Sequence, residues 1–311
     1  MSELDADDVA GLFAAGAADA AREVVGEHAR ETPVIVSGTL RERCGGRVLL
    51  KAENLQRTGS FKLRGALNRL ASLDGATGVV AGSAGNHGQA LAYAASARGV
   101  RCEVFMPSEA AVAKVAAVQA YGGVVTLVGE GVEDCVAAAI ERAAETGAVF
   151  VHPFDDPQVI LGQATLGLEL LDQVEDLAMV IVPIGGGGLI AGVAGAIKRA
   201  RPEVAVIGVQ VAACAPYPAA LAAGAPVAVT PTSTIADGIA VKRPGRLTLP
   251  LVERWVDDVV VVSDEDTAEA MVLLMERAKL VVEGAGAVGA AALLAGLVTP
   301  AAEGSTVVML S

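Results

Sequence analysis

Three short stretches carry residues able to do covalent or acid–base chemistry. The first is Lys51–Ala66, KAENLQRTGSFKLRGA, centred on Ser60-Phe61-Lys62-Leu63-Arg64-Gly65-Ala66. Val48-Leu49-Leu50 reads as the end of a strand, and Thr58-Gly59-Ser60 as a turn closing on an N-cap residue. Phe61, Leu63, Ala66, Leu67 and Leu70 then share one broad helical face. Lys62 is thus expected in a first helical turn, where the helix dipole opposes a positive charge. The same field favours the neutral amine, the form needed for Schiff-base chemistry. Taken alone, a solvated surface lysine is the commoner reading.

The second stretch is Ser83–Ala90, SAGNHGQA, between the apolar run Gly78-Val79-Val80-Ala81-Gly82 and a helical pattern. Open α/β sheets bind ligands on loops at strand C-termini, which is where this loop falls. A plain helix start, with Ser83 or Asn86 capping and His87 on the surface, fits the same letters. The third is Pro183–Leu189, PIGGGGL, again between a strand and a helix. Backbone N–H groups of Gly185, Gly186, Gly187 and Gly188 could crowd around an anion at the helix N-terminus. A tight structural turn is the alternative. No GK[ST] follows, which excludes a P-loop, and no GxGxxG with a later acid marks a dinucleotide site.

The elements that must position these loops form a regular series. From residue 78, the strand patterns 78–82, 102–106, 124–128 and 149–151 alternate with the helical patterns 86–97, 110–121 and 132–146. That alternation predicts a parallel sheet with right-handed crossovers. A second series follows: helix 158–171, strand 179–183, helix 187–199, strand 204–210, then 249–255, 259–262, 264–280, 286–297 and 307–310. Residues 4–28 read as an Ala-rich helix, and Val211–Ala236, with four prolines, as irregular and partly buried. The fold class is therefore α/β, with two α/β layers and the chemistry-bearing loops between them.

Composition narrows the function. Of 311 residues, 53% are hydrophobic but only 3% aromatic, so Ala, Val, Leu and Gly must build the core. A net charge of −13 argues against nucleic acid and anionic membranes as partners. Cys44, Cys102, Cys135 and Cys214 lack any CxxC pair, and His28, His87 and His152 lack metal-ligand spacing, so reduced thiols and no metal site are expected. The acidic start, Glu3, Asp5, Asp7 and Asp8, is unlike a signal peptide. Two long uncharged segments, Leu177–Ile197 and Gly284–Ala302, are broken by Pro and Gly and read as buried α/β elements rather than membrane spans.

In this order, the three motifs resemble the β-family of pyridoxal-phosphate (PLP) enzymes, in particular threonine/serine ammonia-lyases (threonine dehydratases), with serine racemases as relatives. The resemblance covers nearly all of the chain. It implies the tryptophan synthase β-like fold, PLP fold type II: a large domain of 1–75 and 155–311, a small domain of 76–154, and the active site in the cleft. It implies that Lys62 carries the cofactor and that Phe61 packs beneath its ring. Gly185, Gly186, Gly187 and Gly188 would bind the phosphate and Asn86 the phenolic oxygen. Gly238 would flank the cofactor edge, Glu283 lie near the ring and Ser311 pair with the pyridine nitrogen. Ser83, Ala84, Asn86 and His87 would form the substrate-carboxylate site.

Some positions depart from the family pattern. Racemases place a proton-exchanging serine where this chain has Ala84, which favours elimination. The segment that binds a divalent cation in some relatives reads here Gln210, Cys214 and Pro216, so no metal is expected. Gly284 follows Glu283 where a proline is common. The family continues beyond the position of Ser311 with two glycines and an asparagine, so truncation is one expectation. Thr234–Arg246, TIADGIAVKRPGR, resembles degradative threonine ammonia-lyases. The implied activity is loss of the β-hydroxyl of L-threonine or L-serine, giving 2-oxobutyrate or pyruvate and ammonia. A serine racemase, a hydroxyaspartate ammonia-lyase and a non-catalytic PLP-binding regulatory homologue are the alternatives. A cytoplasmic homodimer acting on a small amino acid is expected.

Overall fold

The computed structural model describes residues 11–311. The N-terminal part of the helix expected over 4–28 lies outside the described residues. Within them, a 3₁₀ turn at Gly11–Phe13 precedes α1 (Ala17–Gly26). The chain continues through β1 (Val34–Val36), α2 (Gly38–Cys44), β2 (Arg47–Ala52) and α3 (Lys62–Ala71). Then come β3 (Gly78–Gly82), α4 (Asn86–Ala97), β4 (Arg101–Met106), α5 (Val112–Ala120), β5 (Val124–Leu127), α6 (Val132–Thr146) and β6 (Val149–Phe150). The last part holds α7 (Pro157–Gln173), β7 (Leu177–Pro183), α8 (Gly188–Ala200), β8 (Ala205–Val211), α9 (Pro216–Ala223), α10 (Thr248–Trp255), β9 (Asp258–Val262), α11 (Asp264–Leu273), α12 (Gly284–Leu294) and β10 (Ser305–Leu310).

The strands form two sheets. The smaller is all parallel, in the order β5-β4-β3-β6, and is encoded in one uninterrupted run. The larger has the order β1-β2-β10-β7-β8-β9 and is parallel except for the β1–β2 pair. Side chains alternate across it with the period of two that a strand imposes. Val48, Leu50, Val308 and Leu310 pack toward α11 and α12, while Leu49, Val307 and Met309 pack toward α7, α8 and α10. Both faces are covered, which is why these strands carry continuous apolar runs, Val48-Leu49-Leu50 and Val307-Val308-Met309-Leu310, rather than alternating.

Helix α7 lies against both α3 and α8 at distances that only glycine permits. A Cβ on Gly65 would lie 2.9 Å from the Val159 carbonyl oxygen, and one on Gly162 would lie 2.6 Å from the Gly65 Cα. This close approach fixes α3, and with it Lys62, on a helical layer beneath the large sheet.

Two local expectations are corrected, and one helix is added. Ser60 does not cap α3: Phe61 occupies the N-cap position with helical dihedrals, no side chain caps there, and Ser60 Oγ is buried without a partner among the described residues. Residues 38–44 form α2, capped by Ser37. The segment 211–236 is not irregular throughout, since α9 occupies 216–223 with Pro216 in its first turn, where proline is tolerated. No helix among the described residues is long and apolar enough to cross a membrane.

Candidate active site

The C-terminal end of β2 leads to α3, that of β3 to the 83–86 loop, that of β6 to residues 151–156 and that of β7 to the glycine loop. All four meet at a cavity of about 530 Å³ between the two sheets. It is lined by Phe61 and Lys62, by Ser83, Ala84, Gly85, Asn86 and His87, and by Gly185–Leu189. Gly238, Glu283 and Ser311 also line it, so every residue singled out from the sequence reaches one cavity. A slightly larger hollow, about 590 Å³, lies between α2 and α11. It is a surface groove crossed by the Arg43–Glu269 ion pair and contains none of these groups.

Lys62 begins α3, and its Nζ donates to the Pro153 carbonyl at 2.8 Å. Burial pulls its pKa down to about 8, with no carboxylate among the described residues beside it to hold the charge. At pH 7 about a tenth is then the free amine, far more than for an ordinary lysine. His87 is buried, and its Nε2–H donates to the Val151 carbonyl at 3.0 Å. Burial, followed by the Lys62 charge, lowers its pKa to about 3, so it is a neutral imidazole rather than a cation. Ser83 Oγ accepts from Gly85 N at 3.2 Å and Gly88 N at 3.1 Å, bracing the turn into α4. Asn86 Nδ2 donates to Glu283 Oε2 at 2.9 Å, which joins α4 to the start of α12.

The glycine loop runs flat against bulky neighbours. A Cβ on Gly186 would strike the Phe154 ring, and one on Gly187 would reach Thr248 Cβ at 2.9 Å. Gly187 also sits at φ 96°, a left-handed conformation that a side chain would strain. Among the described residues, the N–H groups of Gly185, Gly186 and Gly187 have no acceptor. Unpaired donors lining a cavity just ahead of a helix N-terminus suit an anion such as a phosphate ester. An amine of lowered basicity facing the same space suits an aldehyde. The donor set therefore fits PLP.

Sequence reasoning missed the segment His152–Asp156. His152 Nδ1 accepts from Asp155 N at 2.8 Å and Phe154 N at 3.3 Å. Asp155 accepts from the backbone N–H groups of Arg246, Leu247 and Thr248. Asp156 caps α7 through Gln158 N and Val159 N and pairs with Arg69 at 2.8 Å. This loop presents the Pro153 carbonyl to Lys62 and the Phe154 ring to the glycines. The available signal was its position after β6, at the same sheet end as Ser83–Asn86. Also missed were the ion pairs Lys114–Asp237 and Lys242–Glu133, which span the cavity wall between the two sheets.

Behind α3 lies a closed cluster of charges. Arg64 makes paired hydrogen bonds with Glu53 (2.9 and 2.9 Å) and with Glu169 (2.6 and 2.9 Å). Lys51 Nζ donates to Glu169 at 2.7 Å and to Thr32 O and Gln173 Oε1 at 2.8 Å. All four charged groups are buried, and two cations balance two anions.

The two-sheet fold, the glycine loop and the buried lysine together define a class. The chain matches the family described as "Pyridoxal-phosphate dependent enzyme" over residues 25–311 and belongs to it. It is 50% identical over 285 residues to an L-threonine ammonia-lyase of Geobacter sulfurreducens, covering 91% of this chain and 71% of that one. The solved T.th. threonine deaminase superposes with a TM-score of 0.89 at 40% identity, over 94% of this chain and 96% of that one. Maize serine racemase superposes with a TM-score of 0.91 at 34% identity, over 100% of this chain and 93% of that one.

Proposed function

We propose that this PLP-dependent enzyme is an ammonia-lyase that removes the β-hydroxyl of L-threonine, and of L-serine, to give 2-oxobutyrate or pyruvate and ammonia. The observation that carries it is the one-sided acid–base equipment of the cavity. Lys62 supplies an amine of lowered basicity, and the facing loop offers Ala84, which has no proton to exchange. Racemisation needs a proton delivered to the second face of Cα; elimination does not. The names borne by the relatives at 40–50% identity favour threonine as substrate.

In this reading Lys62 holds the cofactor's aldehyde carbon, Gly185, Gly186, Gly187 and Gly188 its phosphate, Asn86 its phenolic oxygen and Ser311 its ring nitrogen. Phe61, Gly238 and Glu283 border the ring. The bound cofactor supplies an electron-withdrawing ring that acidifies the substrate Cα–H. Lys62 Nζ would take the Cα proton, and its lowered pKa suits it to act as a base near neutral pH. Ser83, Asn86, His87 and the backbone around Ala84 hold the substrate carboxylate. Neutral His87 orients without adding charge. Further parts of the proposal are a small domain of 76–154 inserted in a large one of 1–75 and 155–311, and a cytoplasmic homodimer. Limited proteolysis and sedimentation velocity test the division and the dimer.

The test is 2-oxo acid release from L-threonine and L-serine with added PLP, in the wild type and in Lys62→Ala. Turnover lost in the variant is expected. Formation of D-serine from L-serine faster than 2-oxo acid would overturn the elimination reading, and unchanged turnover in Lys62→Ala would remove Lys62 from it.

A further inference from the structure

Directly behind the glycine loop is a second buried cluster, made of neutral groups. Thr248 Oγ1 donates to the Gly186 carbonyl at 2.7 Å. The Tyr217 hydroxyl lies 3.1 Å from that same carbonyl and 3.1 Å from Thr248 Oγ1. The Tyr217 backbone N–H donates to Gln210 Oε1 at 2.9 Å, and Gln210 Nε2 donates to the Ile184 carbonyl at 3.3 Å. Gln210, Tyr217 and Thr248 are each fully buried. Three side chains from β8, α9 and α10 thus grip two carbonyls, those of Ile184 and Gly186.

The grip has a consequence fixed by covalent geometry. The peptide unit is planar and trans, so a carbonyl and the N–H of the following residue point in opposite directions. Holding the Ile184 oxygen back against Gln210 turns the Gly185 N–H forward. Holding the Gly186 oxygen against Thr248 and Tyr217 turns the Gly187 N–H forward. These N–H groups have no acceptor among the described residues, and both glycines line the cavity. Without side chains or internal hydrogen bonds, a glycine run would otherwise rotate freely. Burial raises the Tyr217 pKa, so the phenol keeps its proton and remains a donor.

We infer that Gln210, Tyr217 and Thr248 are positioning residues that aim the Gly185 and Gly187 N–H groups at the phosphate of the bound cofactor. The inference rests on the assignment of the phosphate to the glycine loop, but not on which amino acid is the substrate. All three side chains are uncharged, so the frame orients donors without placing a negative charge behind a dianion. Thr248 also joins the frame to the His152–Asp156 loop, since its N–H reaches Asp155.

The test is a comparison of two ligands that differ only in the phosphate. Cofactor-free protein is titrated with pyridoxal 5′-phosphate and with pyridoxal, in the wild type and in Thr248→Val, Tyr217→Phe and Gly187→Ala. Thr248→Val is expected to weaken pyridoxal phosphate binding about tenfold and Tyr217→Phe about threefold, the scale of one buried hydrogen bond, with pyridoxal affinity unchanged. Equal losses for both ligands, or none for either, would overturn the inference. Gly187→Ala separates the two levels of the reading. If it lowers the phosphate preference while the frame variants do not, the loop assignment stands and the frame inference falls. If it leaves the preference intact, both fall.

Discussion

Behind α3, four charged side chains hold one another; behind the glycine loop, three neutral ones do the equivalent work. Arg64, Lys51, Glu53 and Glu169 balance two positive against two negative charges, every one buried. Gln210, Tyr217 and Thr248 carry no charge at all. The two supports reach a similar end by different means, because each shows little net charge to the cavity. Among the described residues no neighbouring carboxylate stabilises the Lys62 ammonium, and burial lowers its pKa. The difference lies in tolerance. A hydrogen bond between neutral groups contributes about 1 kcal/mol net, whereas removing one member of a buried ion cluster strands the others, at about 3–5 kcal/mol.

The sharpest way to break the comparison is Arg64→Met, which leaves Glu53 and Glu169 without their shared guanidinium. It is expected to lower stability by about 3–5 kcal/mol in urea titrations at neutral pH. Its pH dependence adds a second readout. Burial pushes the Glu53 carboxyl up, but the Arg64 charge and hydrogen bonds, with help from Thr32, bring it net below the usual carboxylate range. A depressed acid contributes stability that is fully present above its unfolded pKa of about 4.3 and is lost as pH falls through the folded value. The wild type should therefore weaken as pH drops below that range, and Arg64→Met should have lost this part of the acid limb. An unchanged acid limb in the variant would show that the cluster does not set it.

Next in size is the pH dependence of cofactor capture. With a pKa of about 8, Lys62 is mostly protonated at pH 7 and mostly neutral at pH 9 and above, and only the neutral amine attacks an aldehyde. Stopped-flow absorbance should show capture about tenfold slower at pH 7 than on the alkaline plateau, with a midpoint near 8. A midpoint near 10 would mean that burial does not act on this amine. The smallest effect belongs to the neutral frame. Thr248→Val is expected to cost about 1 kcal/mol of cofactor-free stability and to leave both the acid limb and the capture midpoint in place.

The loops that line the cavity were legible through three motifs in one order, which together resemble one family. Taken singly, the glycine run also fits a tight turn and the lysine a solvated surface position, and only their combination in this order narrows the reading. The parallel strands were legible because strands covered on both faces carry continuous apolar runs. The supports were not. Arg64, Glu53 and Lys51 look like ordinary surface charges until Glu169, more than a hundred residues away, completes the cluster. Tyr217 lies in a proline-rich stretch whose composition suggests a loop, and only tertiary contact makes it α9. Ser60 has the right chemistry for a cap, but the helical dihedrals of Phe61 move the cap position past it. Side chains that act by long-range pairing leave no local spacing to read.

Strand β10 lies between β2 and β7, although it is synthesised after every other strand of the two sheets. On the ribosome, those two strands therefore wait with unpaired, apolar edges until residues 305–310 emerge. The four-stranded sheet, complete once Phe150 is made, has no such delay. A nascent chain would pass through a stage with a finished small sheet tethered to an open large one, the kind of intermediate that aggregates or recruits chaperones. Chains stalled just before Ser305 should yield a protease-resistant core spanning Gly78–Phe150 while β2 and β7 are cut. Equal cleavage of both regions would mean that the two sheets form together.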